Sequence, residues 1–331
     1  MQPRSIKVLS TGKYLPKRKV TVEEVAQKLK ISENWIKRKS GVLTRYFVED
    51  ETVSFMGARA AQQALSIAEL SPQDIDCIVC ASSVAEQGIP CTAVLIQQQL
   101  GLGDSGIPAF DVNATCLSFL AALDTLSYLV HAERYRRVLI VSSEIASIGI
   151  NWSHPESSSL FGDGAAAVIV ERTPEGESSS IQHSSLKTYG QGADLSRCLG
   201  GGNKHHPQEF ATHPERFLFE MNGPGIYRMA AKLLPGFVQQ LFAPLNLTMK
   251  DMELVIPHQA SLMAMRLLSK QLKIPPEKLM SIAPNHGNTM AASIPMALHE
   301  AIHQGRLHRG DTALMLGTGA GLSLGGIVLE Y

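Results

Sequence analysis

Residues 110–123 read FDVNATCLSFLAAL, which predicts an apolar strand, a short polar turn and then a strongly apolar helix. Cys116 falls where this helix is expected to begin. Unpaired backbone N–H groups and the positive end of the helix dipole favour the thiolate form of a cysteine there. The helix is too apolar for a surface position, so we expect it at the centre of the fold, with Cys116 at the bottom of a pocket. A packed core cysteine is the alternative, because free cysteines are among the most buried residues.

The composition is that of a globular protein, with 331 residues, 44% of them hydrophobic and 18% charged. Lys+Arg and Asp+Glu balance at 30 each, which gives no argument for a nucleic acid or an anionic membrane as a partner. No apolar run approaches the roughly 20 residues of a membrane span, and the first residues lack the apolar core of a signal peptide. We therefore expect a cytoplasmic protein. Cys77 and Cys80 have CxxC spacing but lie in a predicted strand, so we expect them to face opposite sides and to be packed.

Predicted strands and helices alternate along the chain, and the strands are continuously apolar, which is typical of a sheet buried between helix layers. Residues 173–215 are polar and weakly periodic, so we interpret them as a linker between halves at 1–172 and 216–331. The second half repeats patterns of the first in the same order: 71–78 resembles 248–255, 136–143 resembles 309–316, and 162–171 resembles 319–330. Two similar α/β halves with one interface predict a pocket between them.

Two polar residues of the second half lie at the ends of predicted elements that correspond to elements of the first half. His258 directly follows a predicted buried strand, and Asn288 lies in a strand–turn–helix pattern near the position that Cys116 holds in the first half. The repeat thus predicts that Cys116, His258 and Asn288 meet near one pseudo-symmetry axis. A structural histidine and a turn asparagine are the alternatives for each residue taken singly.

Several short motifs accompany these residues: the turn at 113–119, FGDGA at 161–165, PHQA at 257–260, HGNTMAAS at 286–293, and glycine-containing segments at 221–223 and 317–321. Together they resemble the β-ketoacyl-acyl carrier protein synthase III family over almost the whole chain. The resemblance implies a thiolase-like α/β fold of two duplicated halves in αβαβα layers. It also implies an acyltransferase that acts in lipid metabolism as a homodimer.

The resemblance implies a role for each motif residue. Cys116 carries the acyl group, and the backbone N–H groups of Cys116 and Ala320 form the oxyanion hole. His258 and Asn288 stabilise the enolate that forms when a malonyl-type thioester loses CO2. The resemblance further implies substrate contacts for Trp35, Lys39, Ile89, Phe161 and Gly319. We expect no metal and no cofactor, with acyl-CoA and a malonyl thioester on acyl carrier protein or CoA as substrates.

Departures from the family pattern concern the substrates. Lys39 stands where the family has an arginine, and no arginine lies near Pro155, so phosphate groups of CoA lose bidentate partners. We hypothesise that a carrier protein docks on Arg266, Lys270 and Lys273, which share one face of a predicted helix; a solvated amphipathic face is the alternative. Ile89 replaces a larger residue at the acyl pocket, which favours medium or branched chains.

Three functions compete: decarboxylating condensation, an acyltransferase that moves the Cys116 acyl group without decarboxylation or joins two acyl chains head to head, and a silent partner subunit. The intact set of Cys116, His258 and Asn288 favours condensation, because simple transfer does not need Asn288. The intact Cys116 disfavours a silent partner subunit.

Overall fold

The computed structural model describes residues 3–331. The strands are β1 Ile6–Tyr14, β2 Arg18–Thr21, β3 Thr44–Phe47, β4 Cys77–Cys80, β5 Ala109–Asp111, β6 Arg137–Glu144, β7 Gly164–Arg172, β8 Ser180–Gly192, β9 Ser196–Arg197, β10 Glu220–Met221, β11 Leu254–Pro257, β12 Thr312–Gly319 and β13 Gly321–Glu330. The α-helices are α1 Val22–Leu29, α2 Glu33–Lys39, α3 Val53–Ile67, α4 Thr92–Gln99, α5 Ser118–His131, α6 Pro155–Ser158, α7 Gly223–Phe242, α8 Leu262–Leu272, α9 Ala283–His286 and α10 Ser293–His303.

Two mixed sheets carry the fold, and their strand orders correspond. The first sheet has the order β1-β7-β6-β4-β5, and the second has the order β8-β13-β12-β11. In each sheet the first three strands are antiparallel neighbours, and the next pair is parallel. This correspondence is what a duplication of one α/β unit produces, so the predicted pair of similar halves is confirmed.

Helices fill the layer between the sheets and cover both outer faces. Helix α5 contacts strands of both sheets, and α10 contacts β1, β7 and β11, so these two helices form the middle layer. Helix α3 covers the outer face of the first sheet, and α7 covers that of the second. Leu117, Phe119 and Leu120 are fully buried between the sheets. The predicted αβαβα arrangement, with the apolar helix after Cys116 at its centre, is therefore confirmed.

Two sequence predictions about the second half are wrong. Residues 180–192 belong to the edge strand β8 rather than to a linker, because they pair with β13 along their length. An edge strand with one solvated side needs no continuous apolar run, so its composition resembles that of a loop. The strand predicted before Asn288 is reduced to one bridge between Val255 and Leu279, followed by the short helix α9. The division at residues 172 and 216 otherwise stays a prediction.

Cys77 and Cys80 are buried on opposite faces of β4, as predicted. Cys77 packs in the core between the two sheets, and Cys80 packs in the core beneath α3. Within residues 3–331, no helix combines the length and the apolar character that crossing a membrane requires.

Candidate active site

The nucleophile turn joins β5 to α5. Helix α5 begins at Ser118, so Cys116 lies two residues before the helix rather than in its first turn. Thr115 adopts a left-handed backbone conformation with φ of 54°. The Ser118 hydroxyl closes the turn, because it accepts the N–H of Ala114 at 2.9 Å and donates to the carbonyl of Thr115 at 2.7 Å. This geometry presents Cys116 on a tight bend at the head of the central helix.

The end of β12 approaches this turn closely. The Thr115 hydroxyl donates to the Ala320 carbonyl at 3.4 Å, and the backbone N–H groups of Ala320 and Cys116 lower the pKa of the Cys116 thiol. A Cβ atom on Gly319 would lie 2.9 Å from Thr115 Oγ1, and one on Gly317 would lie 2.8 Å from Leu117 Cδ2. The absence of these two side chains is therefore what allows β12 to reach the nucleophile. The oxyanion hole formed by the N–H groups of Cys116 and Ala320 stays a prediction.

The prediction that the helix start favours the Cys116 thiolate is wrong for this resting structure. Burial raises the pKa of the thiol to about 12, and the Glu144 carboxylate acts in the same direction. Hydrogen bonds from the N–H groups of Ala320 and Cys116 lower the pKa, but they do not compensate for the lost hydration. The resting residue is therefore a neutral thiol.

His258 directly follows β11 at the same edge of the second sheet as the end of β12. Its N–H donates to the Leu316 carbonyl at 2.8 Å, and its Cβ would lie 3.0 Å from a Cβ atom on Gly317. The ring Nδ1 lies 2.6 Å from Ser293 Oγ at the start of α10. Burial lowers the pKa of His258 to about 4, so the imidazole is neutral near pH 7. The backbone of Gly317 therefore lies between His258 and Leu117, the residue that follows Cys116.

Asn288 lies in the turn between α9 and α10 and is tied to the FGDGA turn. Its N–H donates to the Leu160 carbonyl at 2.8 Å, and its carbonyl accepts the Gly162 N–H at 3.1 Å. A Cβ atom on Gly162 would lie 2.1 Å from the His286 carbonyl oxygen, so only glycine fits there. The side-chain Oδ1 accepts the Met290 N–H at 2.9 Å. The amide oxygen is therefore occupied within the turn, and the NH2 group is the part of the side chain that can donate to a ligand.

The remaining predicted substrate contacts lie on several elements. Trp35 is half-buried on α2, and Lys39 is exposed at the last residue of that helix. Phe161 is buried and packs edge to face on Phe219, with ring centroids 5.1 Å apart. Ile89 is 89% exposed on the segment between β4 and α4. Ile89 therefore does not close a pocket within a single chain.

Only two of the three residues of the predicted carrier-protein face lie on the helix. Arg266 and Lys270 are exposed on α8, but Lys273 is the left-handed residue that follows the helix. The Leu262 N–H at the start of α8 donates to the Ser40 carbonyl at 2.9 Å, which brings the end of α2 beside α8. Lys39 and Arg266 therefore belong to neighbouring elements of one exposed surface.

Two residues near the site were missed in the sequence. Ser293 orients His258, and Glu144 at the end of β6 is a buried carboxyl whose charge affects the Cys116 thiol. The signal that could have identified Glu144 is an acidic residue at the end of an otherwise apolar strand. Within residues 3–331, no group of three or more His, Cys, Asp and Glu side chains is placed to hold a metal ion.

Two duplicated α/β halves around a central helix headed by Cys116 are the architecture of the condensing enzymes of the thiolase fold. Residues 110–190 match the family model described as 3-oxoacyl-[acyl-carrier-protein] synthase III, and residues 242–331 match the model of its C-terminal part. The chain belongs to the β-ketoacyl-[acyl-carrier-protein] synthase III family. The predicted enzyme class, an acyltransferase of the condensing type, is confirmed with it.

Individual relatives match along nearly their full length. The β-ketoacyl-[acyl-carrier-protein] synthase III of Aquifex aeolicus is 33% identical over 325 residues, which cover 98% of this chain and 99% of the relative. The crystal structure of the Aquifex enzyme has a TM-score of 0.89 and covers 98% of this chain and 100% of that one. The priming β-ketosynthase of the R1128 polyketide pathway is 29% identical, with a TM-score of 0.88 and coverage of 99% and 97%.

Proposed function

We propose that this chain condenses an acyl group held on Cys116 with a malonyl-type thioester, and that Cys116, His258 and Asn288 are its catalytic residues. The observation that carries the proposal is that the end of β12 lies against the nucleophile turn, where the Thr115 hydroxyl donates to the Ala320 carbonyl at 3.4 Å. The backbone N–H groups of Ala320 and Cys116 both lower the pKa of the Cys116 thiol. Such paired donors stabilise the oxyanion of a tetrahedral intermediate, and removing one costs about 2.7–4 kcal/mol of barrier in other enzymes.

The first half-reaction moves the acyl group to the protein. The Cys116 sulfur attacks the carbonyl of an acyl thioester, and the oxyanion is held by the two N–H groups. The intermediate collapses with release of the carrier thiol, which takes up the proton that Cys116 gives away. The exchange consumes the neutral thiol of Cys116 and releases a neutral carrier thiol, so no net proton is gained or lost.

The second half-reaction uses the donors of the other half. The bond to the malonyl carboxylate breaks, CO2 leaves, and the electron pair forms an enolate on the thioester. His258 Nε2 and the Asn288 NH2 group donate hydrogen bonds to the enolate oxygen. The Ser293 hydroxyl beside Nδ1 and the occupied Asn288 Oδ1 support this assignment, because they leave the donor atoms free. The enolate carbon then attacks the acyl-Cys carbonyl, and the C–S bond breaks to give a 3-oxoacyl thioester and the Cys116 thiolate. The thiolate takes up one proton from water, which restores the neutral thiol.

The test follows the two steps separately. The protein is incubated with a panel of acyl-CoAs, and the adduct is located by intact mass and peptide mapping. Malonyl-acyl carrier protein is then added, and the 3-oxo product is measured. We expect an adduct on Cys116 that C116A abolishes and that C198A retains, because Cys198 is an exposed cysteine outside the site. An adduct without condensation would instead support simple acyl transfer, and no adduct would support a silent subunit.

The acyl pocket is completed, in this proposal, by a second copy of the chain. Val84, Ile89 and Phe110 are exposed apolar side chains on or near β5, which is the free edge of the first sheet. Pairing of two copies along this edge buries them and brings Ile89 of one copy to the pocket of the other. The small size of Ile89 then favours medium or branched acyl chains. The cytoplasmic location stays a prediction.

An acyl carrier protein is the proposed carrier of the malonyl group. Arg266 and Lys270 on α8 and Lys39 at the end of α2 present positive charge on one exposed surface, which suits an acidic partner. Trp35 and Lys39 lie on the same short helix and remain the proposed contacts for CoA. Phe161 and Gly319 are the proposed contacts for the acyl chain and the thioester.

A further inference from the structure

Glu144 is a buried carboxyl that the proposed reaction does not use directly. It is the last residue of β6, and only 2% of it is exposed. Its Oε1 accepts the N–H of Ser83 at 2.5 Å and the N–H of Ala291 at 3.3 Å. Ser83 belongs to the first half of the chain and Ala291 to the second, so one oxygen atom joins the two halves beside the candidate site.

One of these N–H groups lies in the segment of a proposed catalytic residue, and the other is connected to such a segment by hydrogen bonds. The Ser83 carbonyl accepts the side-chain N–H of Asn113 at 2.9 Å, and the Asn113 side chain accepts the N–H of Thr115, also at 2.9 Å. This short chain of hydrogen bonds connects Glu144 to the residue before Cys116. Ala291 lies three residues after Asn288, in the single 3-10 turn that leads into α10. Loss of the carboxyl acceptor therefore removes a direct contact of the segment after Asn288 and one support of Ser83, which contacts the Cys116 turn through Asn113.

Three titratable groups that interact with Glu144 are acidic or potentially anionic. They are Asp163 from the turn before β7, Cys116 from the nucleophile turn and Cys80 from β4. Burial, with a smaller contribution from Asp163, raises the pKa of Glu144 to about 8. A neutral carboxylic acid can still accept both N–H groups through its carbonyl oxygen.

We propose that Glu144 is a positioning residue that connects the Cys116 turn, through Ser83, to the Asn288 turn across the interface between the two halves. Burial raises the pKa of its carboxyl, so Glu144 does this as a neutral acid and no second negative charge opposes ionisation of Cys116. The inference rests on the proposed function in one respect, namely that Cys116 and Asn288 act in the same reaction. It adds a group that touches neither substrate and that spans the interface between the two halves.

The test compares E144Q, E144A and a matched control, E51Q. Glu51 is also a buried carboxyl that accepts two backbone N–H groups, from Lys17 and Glu49, but these lie outside the site. Condensation is measured at pH 7, and Cys116 alkylation by iodoacetamide is followed by peptide mapping from pH 6.5 to 9.5. E144Q is expected to keep condensation within about threefold of wild type, whereas E144A is expected to lose about tenfold or more, because the two N–H groups lose their acceptor.

The pH profile separates positioning from simple structural support. The wild-type carboxyl ionises as the pH passes about 8, and its charge then suppresses the Cys116 thiolate. The ratio of E144Q to wild-type alkylation should therefore rise from about 1 at pH 6.5 to about 3–10 at pH 9.5, since one pKa unit changes the thiolate fraction tenfold. The ratio for E51Q should stay flat.

Three results would overturn the inference: a flat E144Q ratio, condensation by E144Q as poor as that of E144A, or wild-type condensation by E144A. Failure of the proposed function looks different, because the wild-type protein itself would then form no Cys116 adduct or no 3-oxo product. The alkylation profile of E144Q remains informative even if E144A does not fold.

Discussion

The hydrogen bond between Ser293 and His258 should matter for condensation and not for acylation. Ser293 Oγ lies 2.6 Å from His258 Nδ1 and also accepts the Gln259 N–H at 3.3 Å. With that N–H directed at the oxygen, the hydroxyl proton is available to Nδ1, which keeps the ring proton on Nε2. S293A removes this partner and leaves a buried ring nitrogen unsatisfied, so the tautomer with the proton on Nδ1 is no longer disfavoured.

The expected size follows from the burial of this pair. Both residues are buried, and an unsatisfied buried polar group costs about 1–3 kcal/mol. If that cost falls on the state in which Nε2 donates to the enolate, the rate of condensation falls by about 5- to 150-fold, at 1.36 kcal/mol per tenfold. Acylation of Cys116 should change by less than about twofold, because the oxyanion donors Cys116 and Ala320 lie on other elements.

The assay measures the two half-reactions with the same protein sample. Adduct formation is timed by intact mass after addition of acyl-CoA, and condensation is timed after addition of malonyl-acyl carrier protein to the preloaded enzyme. S10A is the matched control, since Ser10 is also buried and its hydroxyl donates to the Ala64 carbonyl at 2.7 Å, but it lies in β1. Wild-type condensation by S293A, or an equal loss in both half-reactions, would refute the reasoning.

Three further outcomes are expected. The double variant R266E/K270E should raise the KM for malonyl-acyl carrier protein about tenfold or more at low salt and leave acyl-CoA loading unchanged; an unchanged KM would remove this surface as the docking site. G162A should lower the free energy of unfolding by about 1–3 kcal/mol, because its Cβ would lie 2.1 Å from the His286 carbonyl oxygen. G236A has open space around it in α7 and should raise the free energy of unfolding by about 0.4–1 kcal/mol. Equal effects of the two substitutions in urea unfolding would contradict the packing argument. Burial lowers the pKa of His299 from 6.5 to about 4, so its contribution to stability is complete above pH 6.5 and is lost as the pH falls toward 4. The difference in the free energy of unfolding between wild type and H299N should therefore narrow from pH 6.5 to pH 4. A difference that stays constant over this range would contradict the prediction.

The sequence determined the fold and the identity of the three candidate catalytic residues. Apolar strands such as 137–142 and the apolar helix after Cys116 can be satisfied only in a buried layered core, and periodicity reports burial directly. The repeat between the halves predicts that His258 and Asn288 lie opposite Cys116, since duplicated units approach one another through equivalent elements. Strand β8 escaped notice because an edge strand is half-solvated, and its alternation is masked by Ser, His and Thr.

Tertiary structure alone decided the protonation states and the supporting contacts. The neutral thiol of Cys116 results from desolvation by residues distant in sequence, which outweighs the local effect of the helix start. Ser293 and Glu144 act through contacts that span 35 and 147 positions in the chain, to His258 and Ala291 respectively. Sequence patterns within a window report secondary structure and burial, whereas dielectric environment and hydrogen-bond partners depend on which distant segments pack together. For this protein the sequence therefore defined the fold and its family, and the packing of the two halves defined the protonation states and hydrogen-bond partners of the candidate site residues.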